Sequence, residues 1–128
     1  MAALGSAPGT LAWNATGTVV SREAEGGSCQ VPVVRLDDLE AAAGATFIKL
    51  DVEGAEREVL LGARELIRTA RPALGVCLYH RPEDLWRLPL LIRSLCPDHR
   101  LLLRRYGDEC WEQVCYAIPP ERMKTPTL

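Results

Sequence analysis

This sequence of 128 residues has few aromatic residues, no long apolar run and no excess of basic charge. Only 5% of the residues are aromatic, and 15 basic side chains face 17 acidic ones, which gives a formal net charge of −2. Base stacking and phosphate neutralisation need the opposite composition, so we expect no nucleic-acid partner. No apolar run approaches the roughly 20 residues of a membrane-spanning helix, so we expect no membrane span.

Paired-cysteine motifs and an export signal are missing as well. The cysteines number five and none of them forms a C-x-x-C pair, a pattern that favours reduced thiols over a disulfide framework. The N-terminus, MAALGSAPGT, has neither the basic segment nor the long apolar core of a signal peptide. We therefore expect a cytoplasmic protein.

The apolar fraction of 48% is enough for one hydrophobic core, and the length is too short for two ordinary domains. We therefore predict a single domain over residues 1–128. Residues 1–28 are predicted to be a lead-in followed by a β-hairpin around residues 14–17. Residues 29–119 form the predicted core, and residues 120–128 form a tail.

From residue 46 the sequence alternates between strand and helix patterns. Buried-type strands followed by amphipathic helices predict a parallel sheet with helices on its faces. The last two strands are joined by a short connection, which makes them antiparallel. The predicted strands cover residues 46–51, 73–79, 100–106 and 113–118.

Several single residues carry local predictions. Pro32 places its strand at a sheet edge or a bulge, because proline cannot donate to a ladder. Asp37 or Asp38 is predicted to cap a short helix that Gly44 ends. Gly62 lies on the apolar face of a helix predicted over residues 54–70, which indicates close packing against a sheet.

The stretch FIKLDVEGAE, residues 47–56, places carboxylates where a strand meets a helix. Asp51 ends the strand, Glu53 follows two residues later, and Gly54 allows a tight turn. Ligands of open α/β sheets bind outside the carboxyl ends of the strands, so we expect Asp51 and Glu53 to face a binding crevice. His80 ends the next strand at the same rim, as a candidate acid/base or acceptor-binding group.

Other interpretations of these residues stay open. Asp51, Glu53 and Glu56 are able in principle to bind a divalent cation through oxygen, but three carboxylates without a fourth ligand indicate this weakly, and we predict no metal. Glu53 and Glu56 can merely favour the positive N-terminus of the following helix, which is our interpretation of Glu56. His80 can equally be bonded to backbone at the strand end.

Four blocks of the sequence occur in an order and spacing that resemble the FkbM-like methyltransferases. The blocks are VPVVRLDDL, FIKLDVEGAEREVLLGA, YHRPEDLW and LLLRRYGDECWEQVCYAIP. The resemblance runs from Cys29 to Pro119 and implies an enzyme of the Rossmann-like, S-adenosylmethionine-dependent class. It implies a sheet of order 3-2-1-4-5-7-6 with the seventh strand antiparallel, of which this chain supplies the partial order 4-5-7-6 after the N-terminal hairpin.

The resemblance also implies the chemistry. The expected reaction is O-methyl transfer to a hydroxyl of a sugar, lipid or secondary metabolite, with a small molecule or glycan as the acceptor. Asp51 and His80 are the expected catalytic residues, and Asp51, Glu53, Gly54, Tyr79 and His80 the expected binding residues. A carboxylate serves as general base if burial raises its pKa, although methyl transfer gains mostly from alignment.

One departure from the family concerns the donor. No two glycines of this sequence are separated by a single residue, so the G-x-G turn that lets backbone approach a donor is missing. We expect the C-terminal part of a methyltransferase with an incomplete donor site. The alternative is a non-catalytic remnant or partner-dependent module. The strand at residues 46–51 would then have a free edge, which predicts self-association or cover by the N-terminal hairpin.

Overall fold

Residues 2–13, 29–107 and 112–123 are described by a computed structural model. They form a mixed α/β structure with two sheets, which confirms the predicted α/β class. The strands are β1 (Ala3–Leu4), β2 (Gly9–Trp13), β3 (Cys29–Val34), β4 (Phe47–Leu50), β5 (Ala73–Cys77), β6 (Arg100–Tyr106) and β7 (Glu112–Ile118). The helices are α1 (Glu56–Leu61), α2 (Arg64–Ala70) and α3 (Asp84–Leu95), with 3₁₀ turns at Leu36–Asp38, Glu40–Ala42 and Pro120–Arg122. In these ranges no helix has the length and apolar character needed to cross a membrane.

The larger sheet has four strands in the order β4-β5-β7-β6. Strand β4 runs parallel to β5, whereas β7 is antiparallel to both of its neighbours. Within the described residues β4 pairs only with β5, and Phe47 at its start is 53% exposed. The predicted self-association through this edge of β4 stays a prediction.

One face of the larger sheet is covered by the helices. Alternate residues of a strand share a face, and the register places Leu50, Val76 and Cys115 side by side. They join Ile67 of α2 and Ile92 of α3 in one buried cluster. Because β4 and β5 are parallel and adjacent, their carboxyl ends emerge together at one end of this sheet.

The N-terminal residues form a second sheet, in which β3 lies between β1 and β2. Strand β2 pairs antiparallel with β3, from Gly9 opposite Val33 to Trp13 opposite Cys29. In the described residues the partner of β2 is β3, which comes later in the chain, and the hairpin around residues 14–17 stays a prediction. The predicted turn and its second strand lie outside the described residues. A local strand pattern does not reveal which later strand completes the ladder.

Pro32 lies in a central strand, so the prediction of an edge position was wrong. Gly5 N donates to Val34 O at 3.0 Å, so Val34 presents its backbone to β1. By the two-residue period of a strand, Pro32 faces the same side. Strand β1 begins opposite Val33, so the missing N–H of the proline points past the end of β1.

The helix predicted over residues 54–70 is divided into α1 and α2 at Gly62. A Cβ on Gly62 would collide with the backbone oxygen of Gly5, directly after β1. Asp37 N donates to Gly62 O at 2.9 Å. The predicted close packing of Gly62 is observed. The backbone that Gly62 contacts belongs to Gly5, where the chain leaves the N-terminal sheet.

Asp37 caps α2 from a distant part of the chain. Its carboxylate accepts the backbone N–H of Leu66 at 2.9 Å and of Glu65 at 3.3 Å. First-turn N–H groups have no intrahelical acceptor, so this carboxylate satisfies two of them. The sequence predicted instead a cap on a local helix, and in that region the structure has two 3₁₀ turns.

Arg71 ties the end of α2 to two later segments. It has φ 48°, and its guanidinium lies 2.6 Å from Asp98 and 2.7 Å from Glu121. The hydrogen bonds from Arg71 hold the pKa of Asp98 at about 2 and that of Glu121 at about 2. Both values lie below the ordinary pKa values of about 3.9 for aspartate and about 4.3 for glutamate.

We predict that Gly62→Ala lowers the free energy of unfolding by about 1–3 kcal/mol, because the added methyl group displaces the Gly5 backbone. Urea unfolding followed by circular dichroism measures the loss. Gly44→Ala is the matched control, since nothing lies within 4 Å of its added Cβ. Equal losses in the two variants would contradict the contact.

A second prediction concerns acid stability. Folded-state pKa values of about 2 for Asp98 and Glu121 mean that their contribution to stability is present above the unfolded pKa values and is lost as the pH falls toward 2. In Arg71→Gly, which tolerates the positive φ, the free energy of unfolding should therefore fall less steeply between about pH 4.5 and 2.5. Urea titrations at several pH values measure this slope. Arg68→Ala, which leaves both carboxylates paired, should keep the original slope, and an unchanged slope in Arg71→Gly would refute the linkage.

Candidate active site

The turn between β4 and α1 is strained at a residue that carries a carboxylate. Glu53 has φ 54° and Gly54 has φ 94°. Glycine tolerates positive φ, whereas a residue with a Cβ loses about 1–2 kcal/mol there. The turn connects Asp51, directly after β4, with Glu56, the first residue of α1. Strained backbone that carries a charged side chain at a strand end favours a functional site.

Asp51 is held by hydrogen bonds from two side chains. The Tyr79 hydroxyl donates to Oδ1 at 2.7 Å, and Lys49 Nζ donates to Oδ2 at 2.9 Å. Partial burial raises the pKa of Asp51, but the hydrogen bonds from Tyr79 and Lys49 outweigh it, so the pKa lies below its ordinary value. The side chain is 35% exposed. Asp51 is therefore ionised at neutral pH and accessible to a ligand.

The general-base interpretation of Asp51 needed a raised pKa, and the structure gives a lowered one. A carboxylate with a low pKa is a poor proton acceptor near pH 7. The hydrogen bond to Asp51, together with burial, raises the pKa of Tyr79 well above its ordinary value, so the phenol stays protonated and keeps donating. Asp51 is thus suited to accept hydrogen bonds and to position a ligand.

His80 lies against the same turn. Its Nε2 is 3.5 Å from Asp51 Oδ1 and 3.8 Å from Glu53 Oε2. Its Nδ1 is 2.7 Å from Glu56 Oε1, and its side chain is 8% exposed. The Tyr79 ring lies beside it, with 4.4 Å between the ring centroids. The structure therefore brings the candidate side chains of β4 and β5 into one cluster, while their roles stay predictions.

The sequence predicted that Glu56 only adds negative charge at the N-terminus of a helix. In the structure Glu56 makes further contacts. The residue is fully buried, and its Oε1 accepts the Val52 N–H at 3.0 Å. A position in the first turn of α1 explains neither this burial nor the contact with His80. The sequence did contain a signal, since Glu56 precedes the buried Val59 and Leu60 by three and four residues on one helix face.

The side chain of Arg81 packs against Gly54, next to the cluster. A Cβ on Gly54 would lie 3.0 Å from Arg81 Nε, so the bare backbone of this buried glycine makes room for the guanidinium. Gly54 serves the turn and the packing of Arg81, and its predicted binding role stays a prediction. Asp84 of α3 is buried nearby, and burial together with the charge of Glu56 raises its pKa.

The cation interpretation of Asp51, Glu53 and Glu56 gains no support from the geometry. Among the described residues no three or more His, Cys, Asp or Glu side chains are arranged to hold a metal ion. A depression of about 320 Å³ lies elsewhere, between the 3₁₀ turns and α2, where Leu36 and Leu66 contribute to its lining. The cluster around His80 is a separate feature at the strand ends.

Comparison with known families identifies the chain. The family model described as the methyltransferase FkbM domain matches residues 2–110, most of the chain. The chain belongs to the FkbM methyltransferase family. The match begins and ends earlier than the Cys29–Pro119 range of the sequence resemblance, and it includes every residue of the cluster. A comparison with curated proteins gave no match.

A solved FkbM methyltransferase has a similar structure. The crystal structure of methyltransferase FkbM from Methylobacillus flagellatus KT aligns with a TM-score of 0.70 and 28% sequence identity. The alignment covers 91% of this chain and 27% of that FkbM protein. This family member therefore spans little more than a quarter of the length of the solved relative.

We predict that Glu53→Gly raises the free energy of unfolding by about 0.5–1 kcal/mol. The substitution relieves about 1–2 kcal/mol of strain at positive φ, less the extra backbone entropy that glycine loses on folding. Urea unfolding provides the measurement. Glu53→Gln removes the same charge but keeps the Cβ, so it should not stabilise, and a gain of equal size in both variants would assign the effect to charge.

Proposed function

We propose that this chain takes part in S-adenosylmethionine-dependent O-methyl transfer to a hydroxyl of a sugar, lipid or secondary metabolite. The observation that carries the proposal is the position of ionised Asp51 beside His80 at the carboxyl ends of two parallel strands. Ligands of open α/β sheets bind at such ends. Membership of the FkbM methyltransferase family supports the reaction class.

The charge of the cluster suits the donor. S-adenosylmethionine, when bound, supplies a methyl group carried on a positively charged sulfur. Asp51 and Glu53 present two carboxylates just beyond the carboxyl end of β4, with side chains 35% and 42% exposed. Such carboxylates attract a cation and accept hydrogen bonds from ribose hydroxyls. We assign Asp51 and Glu53 to the binding of the donor, with Tyr79 holding Asp51 in place.

His80 is the residue of the cluster best suited to move a proton. An imidazole titrates near neutral pH, and its neutral form accepts a proton on one ring nitrogen. The acceptor hydroxyl must lose a proton as its oxygen gains the methyl group, and we assign that proton to His80 Nε2. The neighbouring carboxylates of Asp51 and Glu53, at 3.5 Å and 3.8 Å from this nitrogen, then stabilise the imidazolium.

Alignment supplies the remainder of the rate. Displacement at a methyl carbon needs the attacking oxygen and the leaving group in line, and holding reactants in such a geometry is worth several orders of magnitude. The cluster is held from β4, β5 and α1 together, through Tyr79–Asp51 and Val52–Glu56 hydrogen bonds. A cluster held in this way suits a positioning role. The proposed acceptor is a small molecule or glycan.

We predict that the purified chain binds S-adenosylhomocysteine only weakly, because the G-x-G turn is missing, and that Asp51→Ala weakens the binding further, at least about tenfold. Loss of a charged hydrogen-bond acceptor accounts for a change of this size. Isothermal titration calorimetry measures both affinities. Asp38→Ala is the matched control, because Asp38 is an exposed carboxylate that pairs with Arg35, and it should bind as the wild type does.

The same titration tests the alternative, a non-catalytic remnant or partner-dependent module. A folded chain that does not bind S-adenosylhomocysteine would refute donor binding by this chain and favour the alternative. Binding that Asp51→Ala leaves intact would refute the assigned role of Asp51 alone. Circular dichroism of each variant confirms that the chain is folded before its titration is interpreted.

A further inference from the structure

Glu56 is a buried carboxylate whose surroundings offer few compensating groups. It is 0% exposed. A buried, ionised carboxylate costs several kcal/mol unless it is paired or hydrogen-bonded. Only Oε1 accepts a hydrogen bond, from Val52 N, whereas Oε2 has no hydrogen-bond partner among the described residues. The position of Glu56 in the first turn of α1 does not by itself explain why an acid is buried there.

The imidazole of His80 is the second group on Glu56. Its Nδ1 lies 2.7 Å from Oε1. The contact has the length of a hydrogen bond but not its alignment. A bare ring nitrogen at this distance from a carboxylate oxygen would set two lone pairs against each other. A proton on Nδ1 replaces that repulsion with a charge-assisted attraction, which a small rotation of the ring aligns.

Other charged groups also surround the ring, and the carboxylates on its Nε2 side compete with Glu56 for the proton of the neutral imidazole. On the Nε2 side lie Asp51 and Glu53, at 3.5 Å and 3.8 Å. On the Glu56 side lies Asp84 of α3, whose pKa is raised by burial and by the charge of Glu56. Arg81, next along the chain, lies against the turn. Of the carboxylates of Asp51, Glu53 and Glu56, that of Glu56 lies nearest to a ring nitrogen, at 2.7 Å, and therefore attracts the proton most strongly.

We infer that Glu56 is a positioning residue that holds neutral His80 in the Nδ1–H tautomer and so leaves Nε2 free to accept a proton. The inference rests on the proposed function for the meaning of that proton. The carboxylate acts through the histidine and never contacts the substrate. The same carboxylate fixes the ring to the turn through the Val52 N–H, so the orientation of His80 and the shape of the turn are set together.

The test is the tautomer of His80, read by long-range ¹H–¹⁵N spectra of the ¹⁵N-labelled 128-residue chain, recorded at alkaline pH once the spectra themselves show a neutral ring. The chain has two histidines, and His80→Asn assigns their signals. We expect the wild type to carry the proton on Nδ1, whereas free histidine favours Nε2. In Glu56→Gln the ratio of the Nδ1–H form to the Nε2–H form should fall about tenfold, because a neutral amide binds the N–H less strongly.

Two outcomes would overturn the inference. One is a wild-type His80 that carries its proton on Nε2, a result that needs no variant to fold. The other is a folded Glu56→Gln chain whose tautomer ratio is unchanged and whose Tm alone is lowered, which would make Glu56 a purely structural residue. Glu58→Gln, a neutralised carboxylate of the same helix that pairs with Arg57, is the control and should keep the wild-type ratio.

The spectra are recorded without donor or acceptor. The tautomer result therefore stands or fails independently of S-adenosylhomocysteine binding. A chain with the expected tautomer and no donor binding would refute the proposed function and leave the role of Glu56 in place. A chain that binds the donor but has the wrong tautomer would refute only the positioning role.

Discussion

The buried carboxylate of Glu56 is the constraint on which the geometry of the site depends. Its Oε1 accepts the Val52 N–H and also contacts His80 Nδ1, so it joins the turn after β4 to a residue that follows β5. The same turn contains Glu53 and Gly54, both of which have positive φ. Without a partner inside this turn, a carboxylate at this depth would cost several kcal/mol and the strand ends would lose their shared anchor. The burial of Glu56, the strain at Glu53 and the positions of the Asp51 and Glu53 carboxylates therefore depend on the same contacts.

A second arrangement docks the N-terminal sheet onto the helices. It depends on the break between α1 and α2, where Gly62 admits the Gly5 backbone and accepts the Asp37 N–H. The carboxylate of Asp37 then caps α2. A continuous helix would present neither the bare backbone nor the free first-turn N–H groups, so the interruption is what allows the two sheets to pack together. The core beneath is built by one face of the larger sheet and the three helices.

The hydrogen bonds of Asp51 and the chemistry of His80 suit these two residues to different roles. Hydrogen bonds from Tyr79 and Lys49 outweigh the partial burial of Asp51 and lower its pKa, which removes it as a proton acceptor and leaves it a fixed negative charge. The acid/base role is therefore proposed for His80, because an imidazole readily accepts and donates a proton. The sequence left the direction of the pKa shift of Asp51 open, with a general-base role only if burial raised the pKa, because one of its two hydrogen-bond donors lies far away along the chain. Tyr79 is 28 residues away along the chain, and no local pattern reports such a contact.

The sequence by itself determined the alternation of strands and helices from residue 46, the antiparallel pair at the end, and the presence of Asp51 and His80 at neighbouring strand ends. These follow from apolar periodicity, turn residues and connection length, which act over a few residues. Only the tertiary structure decided the partner of β2, the central place of Pro32, the break at Gly62, the distant cap by Asp37 and the burial of Glu56. Each of these depends on a contact between segments far apart in the chain, where packing and hydrogen bonding choose among partners that look alike in the sequence.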